Sequence, residues 1–243
     1  MSRKIFPQYP KERPALPPAY QKIYVEHYRN NREGLTAASS VSRKLEAWLH
    51  RKVAAGLAPG DDKATLEIGA GTLNQLRYED TSPYDIVEPF NALYESSPLL
   101  TRVRHIYADI EEVPAHHRYQ RITAIATFEH VLALPKVVAR ACLLLGQGGS
   151  LRVSIPNEGS PCWKLGWMLS TGLEFRLKYG LDYGLLMRHE HVNTANEVEE
   201  VLRYFFQKVE VSHFGLNRLL AFYRYCECSL PKPDLAEQYL EGE

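Results

Sequence analysis

The amino-acid sequence predicts an α/β fold: a doubly wound, mostly parallel seven-stranded sheet that ends in an antiparallel hairpin. Three observations predict it. From residue 64 onward, short apolar runs rich in β-branched residues alternate with helical stretches. The first of these runs leads directly into a Gly69-Ala70-Gly71 turn. The last two runs, 209–214 and 219–226, are separated by only a few residues, too few for a parallel crossover.

Composition sets the outer bounds. Of the 243 residues, 45% are hydrophobic and 24% charged, the range of a globular chain with a sizeable core. The 29 basic residues balance 29 acidic ones, so there is no overall electrostatic footprint for nucleic acid. No apolar run reaches the roughly 18 residues that a membrane span needs. Residues 1–7 are basic without an apolar segment behind them, which speaks against a secretory leader. Four cysteines in a chain of this length speak against a disulfide scaffold. A cytoplasmic protein is expected.

Five prolines (Pro7, Pro10, Pro14, Pro17, Pro18) make residues 1–19 an extended arm rather than a packed element. Residues 1–54 hold eleven Lys/Arg against four Asp/Glu. A solvated basic face is the simplest reading, and approach to an anionic acceptor or peripheral contact with a membrane surface is the alternative. Residues 20–57 predict two helices over the substrate side, one over 20–32 with Tyr24 and Tyr28, and one over 40–55 with Trp48, Leu49 and Val53. The main domain spans 58–230. Its parallel strands are expected at 65–68, 85–87, 103–108, 121–126 and 151–155, with a short helix from Leu73, another over 91–96 and a third over 136–145. Residues 157–190 break the rhythm with aromatic residues among glycines, an insertion that reads as packing or as a lid. Thr194 and Glu197 form a capping box ahead of Val198, Val201, Leu202 and Phe205. Residues 231–243 are acidic and are expected to be a loose tail.

A doubly wound sheet binds its ligand beyond the carboxyl ends of its strands, beside the first one. There Gly69 and Gly71 let the backbone pass close to a ligand. Glu67, two residues ahead of the first glycine, suits a cationic amino group better than a pyrophosphate, and Asn74 stands where a dinucleotide fingerprint needs a small residue. Both disfavour a nicotinamide cofactor. Glu88 ends the second strand, where a carboxylate accepts hydrogen bonds from ribose hydroxyls. Asp109 ends the third and can accept from an adenine amine, with Ile110 against the ring. Thr127, Phe128 and His130 follow the fourth strand, at the lip where cofactor meets substrate.

Glu67-Ile68-Gly69-Ala70-Gly71, Glu88, Ala108-Asp109-Ile110, Phe128-Glu129-His130-Val131 and Gly148-Gly149 resemble the class I S-adenosylmethionine-dependent methyltransferases, in particular type 11-like small-molecule enzymes. The resemblance covers about residues 64–156. It implies a Rossmann-like sheet with an antiparallel seventh strand, and S-adenosylmethionine as cofactor with S-adenosylhomocysteine as product. It also implies Glu67, Gly69, Ala70 and Gly71 at the methionine end, Glu88 at the ribose and Asp109 at the adenine. Leu73 departs from it, since glycine often takes that position, and Glu88 stands for the usual Asp.

The expected reaction is methyl transfer to an oxygen or nitrogen of a small or saccharide-like acceptor. An oxygen nucleophile needs a proton acceptor, and His130, His189 and His191 are the candidates, unranked. Tyr24, Tyr28, Trp163, Trp167 and Arg188 are expected to contact the acceptor. His189 and His191 could ligate a metal, yet no third ligand is evident beside them, and no metal is expected. Cys226 and Cys228 read as buried thiols. A non-catalytic S-adenosylmethionine-binding interaction module is the competing reading, followed by a nicotinamide-dependent oxidoreductase. The sequence does not set the oligomeric state.

Overall fold

Residues 5–21, 23, 40–56, 63–80 and 83–242 are described by a computed structural model. Among them, seven strands form one sheet: β1 (Thr65–Ile68), β2 (Tyr84–Val87), β3 (His105–Tyr107), β4 (Tyr119–Ile125), β5 (Leu145–Pro156), β6 (Phe206–Gly215) and β7 (Ala221–Pro231). The order is β3-β2-β1-β4-β5-β7-β6. Strand β7 is antiparallel to both of its neighbours, and the pairs from β3 to β5 are parallel. The predicted doubly wound sheet with its terminal hairpin is the observed one. Its winding reverses between β1 and β4, which opens a crevice at their carboxyl ends.

The α-helices around the sheet include α1 (Ser40–Ala54), α2 (Leu134–Leu144), α3 (Pro161–Trp167), α4 (Leu173–Tyr179), α5 (Tyr183–Glu190), α6 (Ala195–Phe205) and α7 (Pro233–Glu241). Helices α2 and α6 bury Val138, Ala141, Leu144, Val198, Leu202 and Phe205 on the main core, which includes Leu66, Ile122, Leu151 and Val153. Helix α6 starts as predicted: Glu197 N–H donates to the Thr194 hydroxyl and Thr194 N–H donates back to Glu197. Helix α1 lies elsewhere, with Leu49 and Val53 against Ile125 and Tyr225.

Two arginines from the sheet tie α1 down. Arg121 of β4, fully buried, donates to the Val53 and Ala54 carbonyl oxygens at 3.2 Å and pairs with Glu79. Arg152 of β5 donates to Val53 O at 2.9 Å and to Ala55 O. Both guanidinium groups meet the negative end of the helix, where its last carbonyls lack partners. Glu79 also accepts from Gln75, whose amide oxygen meets His50 Nδ1 at 2.7 Å. This buried network spans α1, the turn after β1, and β4.

Several expectations need correction. The arm has no regular structure over residues 5–17, but it is packed: Phe6 and Tyr9 are buried, and Phe6 meets Tyr204, Phe205 and Tyr239. Prolines deny the arm a hydrogen-bond ladder, whereas its two aromatic rings supply apolar area that the core takes up. The tail expected over 231–243 is not loose over its described residues, 231–242. Pro233 opens α7, which packs on α2, and Ala236 and Tyr239, three apart, are buried, Tyr239 against Phe6 and Phe205, while Asp234, Glu237 and Glu241 face solvent. The helices expected after the glycine turn and over 91–96 are 3-10 turns, at Asn74–Tyr78, Asn91–Leu93 and Pro98–Arg102. Most of the helix expected over 20–32 lies outside the described residues, as do Tyr24 and Tyr28.

Replacing Arg121 by Met should destabilise the protein by about 3–5 kcal/mol, because Glu79 is left buried without its cation. Denaturant unfolding of the two forms measures this, and a change under 1 kcal/mol on that scale would contradict the clamp.

Candidate active site

The carboxyl ends of β1, β2 and β4 and the segment after β3 enclose a cavity of about 800 Å³. That volume suits a nucleoside-sized ligand with an acceptor beside it. Glu67, Gly69, Ala70, Gly71, Glu88, Asp109, Ile110, Thr127, His130 and His189 all line it. Nearly all of the predicted cofactor residues therefore share one hollow.

The turn leaving β1 forms its floor. Gly69 has φ +73°, and a Cβ there would lie 2.4 Å from Thr127 Oγ1, so the position admits no side chain. Gly71 has φ +51°. Leu73, in the place often held by glycine, also has a left-handed backbone, φ 64° and ψ 27°. That conformation costs about 1–2 kcal/mol for a residue with a side chain. Its complete burial against Leu76, Tyr84 and Ile86 offsets the cost.

Each strand end contributes one carboxylate, and the three differ. Glu67 is buried and accepts a hydrogen bond from the Tyr84 hydroxyl at 2.9 Å. Burial, which this bond only partly opposes, pushes its pKa up to about 8. Glu88 accepts from Gly71 N–H at 2.8 Å through Oε2 and from Phe90 N–H at 3.1 Å through Oε1. Both oxygens keep a lone pair for a further donor. Asp109 is exposed and caps the turn Ile110–Glu112 through Oδ1, leaving Oδ2 for a ligand.

At the other end stand His130 and Glu190. His130 Nδ1 lies 2.9 Å from the Glu190 carbonyl oxygen and 3.5 Å from Glu190 Oε2. Behind them, His191 meets His130 edge-on with ring centroids 4.9 Å apart, and its Nδ1 meets Glu158 Oε2 at 2.8 Å. Burial opposes charge on both members of that pair. The hydrogen bond and neighbouring carboxylates nevertheless hold His191 above its ordinary pKa, and the bonds to His191 and Trp163 hold Glu158 below its own.

The backbone here is pinned. Val192 and Asn193 N–H donate to Glu129 O at 2.8 and 3.0 Å, and Asn193 Nδ2 donates to Phe128 O and Val131 O. Arg13 of the arm donates to His130 O, His189 O and Glu190 O at 2.9–3.1 Å.

Some expected residues lie off the cavity wall. Phe128 is a core residue, fully buried beneath the lip, and only the segment it belongs to reaches the site. His191 sits behind His130. Trp163 donates from Nε1 to Glu158 at 2.6 Å, Trp167 packs on Tyr183, and Arg188 is exposed. None of the three lines the cavity. Conversely, Arg13, Phe90, Glu190 and Tyr223 line it without having been singled out. Phe90, two residues beyond Glu88, was accessible from that spacing, whereas the other three depend on tertiary contacts. Among the described residues, His189 and His191 do not share a cluster of possible metal ligands; it is Glu129, His130 and His191 that bring one ligand atom each within 4.8 Å of one another.

No protein-family model matches the chain, and no curated protein matches it. Solved structures do. The plantazolicin methyltransferase BpumL, solved with a monoazolic desmethylPZN analogue and S-adenosylhomocysteine, superposes with TM-score 0.58 at 14% identity, covering 88% of this chain and 91% of that one. The Burkholderia thailandensis 1,6-didemethyltoxoflavin-N1-methyltransferase, solved with 1,6-didemethyltoxoflavin and S-adenosylhomocysteine, has TM-score 0.53 at 16% identity, covering 92% and 94%. The CurJ carbon methyltransferase has TM-score 0.54 at 21% identity and covers 82% of this chain, which spans 57% of that protein. The chain shares its fold with these methyltransferases.

The raised pKa of Glu67 makes stability depend on pH. The folded state holds the proton up to about pH 8, while the unfolded carboxyl releases it near 4.5. The stability this contributes is complete below pH 4.5 and is lost as pH rises through about 8. Glu67→Gln should therefore flatten the fall in Tm over that interval relative to the unaltered protein, and parallel Tm-versus-pH curves would refute it.

Proposed function

We propose that this protein is an S-adenosylmethionine-dependent methyltransferase acting on an oxygen or nitrogen of a small or saccharide-like acceptor. The carrying observation is the convergence of Glu67, Glu88 and Asp109, from three adjacent strand ends, on one cavity over the Gly69–Gly71 turn. Strand ends that merely pack have no use for three carboxylates. The three carboxyl groups also match the ligand's hydrogen-bond donors in order: Glu67 for the ammonium group, whose positive charge opposes the burial that otherwise keeps this carboxyl protonated, Glu88 for the ribose hydroxyls, and Asp109 for the adenine amine with Ile110 against the ring. A dinucleotide fits less well, because a buried carboxyl stands where a pyrophosphate would approach.

The bound sulfonium supplies a methyl group whose transfer breaks the C–S bond and returns those electrons to sulfur. The chain's own residues align and exclude water. Glu67 and Asp109 orient the two ends of the cofactor and Glu88 its ribose, and Thr127, packed on Gly69, shapes the wall between floor and lip. His130, with Nδ1 committed to Glu190 O, presents Nε2 on the acceptor side as the group that acts on the acceptor's proton. His189 also lines the cavity, but its Nδ1 meets Pro14 O at 2.7 Å and ties down the arm. The basic arm, through Arg13 at the wall, favours an anionic acceptor. All four cysteines are free, which suits the reducing cytoplasm.

Calorimetry should detect S-adenosylhomocysteine binding, weakened by about 1–3 kcal/mol in Glu67→Ala. Unchanged affinity, or binding of NADH instead, would overturn the assignment. In His130→Ala, cofactor affinity should persist while methyl transfer to a metabolite pool falls about 100- to 10,000-fold. Cofactor binding without any turnover in the unaltered protein would favour the non-catalytic module.

A further inference from the structure

We infer that Glu129, His130 and His191 form a binding site for one divalent transition-metal ion, of the zinc or manganese kind, on the acceptor side of the cavity. One ligand atom from each of the three residues lies within 4.8 Å of the other two. His130 Nε2 and Glu129 Oε1 are 3.9 Å apart. Ligands at about 2.0–2.2 Å from a tetrahedral ion stand about 3.3 Å from one another, so small side-chain rotations close the site.

Two further observations point to a cation. Glu129 is only 2% exposed, and its Oε2 has no hydrogen-bond partner among the described residues. A buried carboxylate oxygen without a donor is costly and calls for a positive partner. Both imidazoles are also arranged as ligating histidines are: one nitrogen is held by an oxygen, and the other is left for the ion. For His130 the holding group is Glu190 O at 2.9 Å, and for His191 it is Glu158 Oε2 at 2.8 Å. Such outer contacts fix ring orientation and the protonated nitrogen. Glu158 is itself fixed by Trp163 Nε1 at 2.6 Å. The paired donations of Val192 and Asn193 to Glu129 O hold the two ligand segments together.

Two histidines and one carboxylate leave a coordination position for substrate, as catalytic rather than structural sites do. His130 and Glu190 both line the cavity, so that position is within reach of the acceptor. This use of the site rests on the methyltransferase reading above. With His130 Nε2 on the ion, the proton-accepting role passes from His130 to Glu190: an acceptor hydroxyl bound to the ion loses its proton more readily, to the side chain of Glu190, which lines the same cavity. The oxygen then forms the bond to the methyl carbon as the C–S bond breaks.

The test uses chelator-treated, dialysed full-length protein titrated with Zn²⁺ and with Mn²⁺ alone, followed by calorimetry and metal analysis. One equivalent should bind, and Glu129→Gln and His191→Ala should each abolish it. Glu158→Gln should weaken it about 10–100-fold by releasing His191. S-adenosylhomocysteine binding retained by each variant shows that it is folded. Absence of binding overturns the proposal. So does binding that survives both ligand variants, which would place the ion elsewhere, for instance at His105, His116 and His117. Metal binding without S-adenosylhomocysteine binding would instead sink the cofactor reading and leave the metal site standing.

Discussion

The site depends on the turn that leaves β1. Within five residues the backbone takes left-handed torsions at Gly69, Gly71 and Leu73, and Glu88 locks the turn by accepting from Gly71 N–H. Thr127 fills the space that any side chain at Gly69 would need. The floor of the cavity, Glu88 and the lip after β4 are thus joined by direct contacts.

Beneath that unit lies a layer of buried charge. Arg121, Glu79, Gln75 and His50 connect α1 to the turn after β1, and Arg152 adds a second guanidinium at the end of α1. Burying so many polar groups is tolerable because each guanidinium finds carbonyl or carboxylate partners. The layer fixes where α1 presents Leu49 and His50 to the cavity. It also puts the Arg121 cation close enough to Glu67 to favour that carboxylate, although burial dominates there.

The acceptor side is built differently, from segments far apart in the chain. The segment after β4, the end of α5, the residues ahead of α6 and the amino-terminal arm meet through backbone hydrogen bonds and through Arg13, Lys11 and Tyr9. Here the insertion, residues 157–190, supplies Glu158 and Trp163 as supports for His191 rather than as wall residues. The shape of this end of the cavity accordingly rests on how these segments are held together.

How much of this was legible follows the range of the forces involved. Strand and helix periodicity, the capping box at Thr194 and Glu197, and the carboxylates at successive strand ends are local patterns, and they were legible in the sequence together with the residues that line the floor of the cavity. The burial of Phe6 and Tyr9 was hidden by prolines, and the packing of α7 by its acidic outer face. The meeting of Glu129 and His130 with His191 has no sequence signal, because it is made by hydrogen bonds across some sixty residues of chain. The sequence by itself determined the sheet, its winding and the residues at its strand ends, since those follow from alternation and turn chemistry. Only the tertiary structure decided which side chains face the cavity at its far end from the glycine turn, since that depends on where distant segments come to rest.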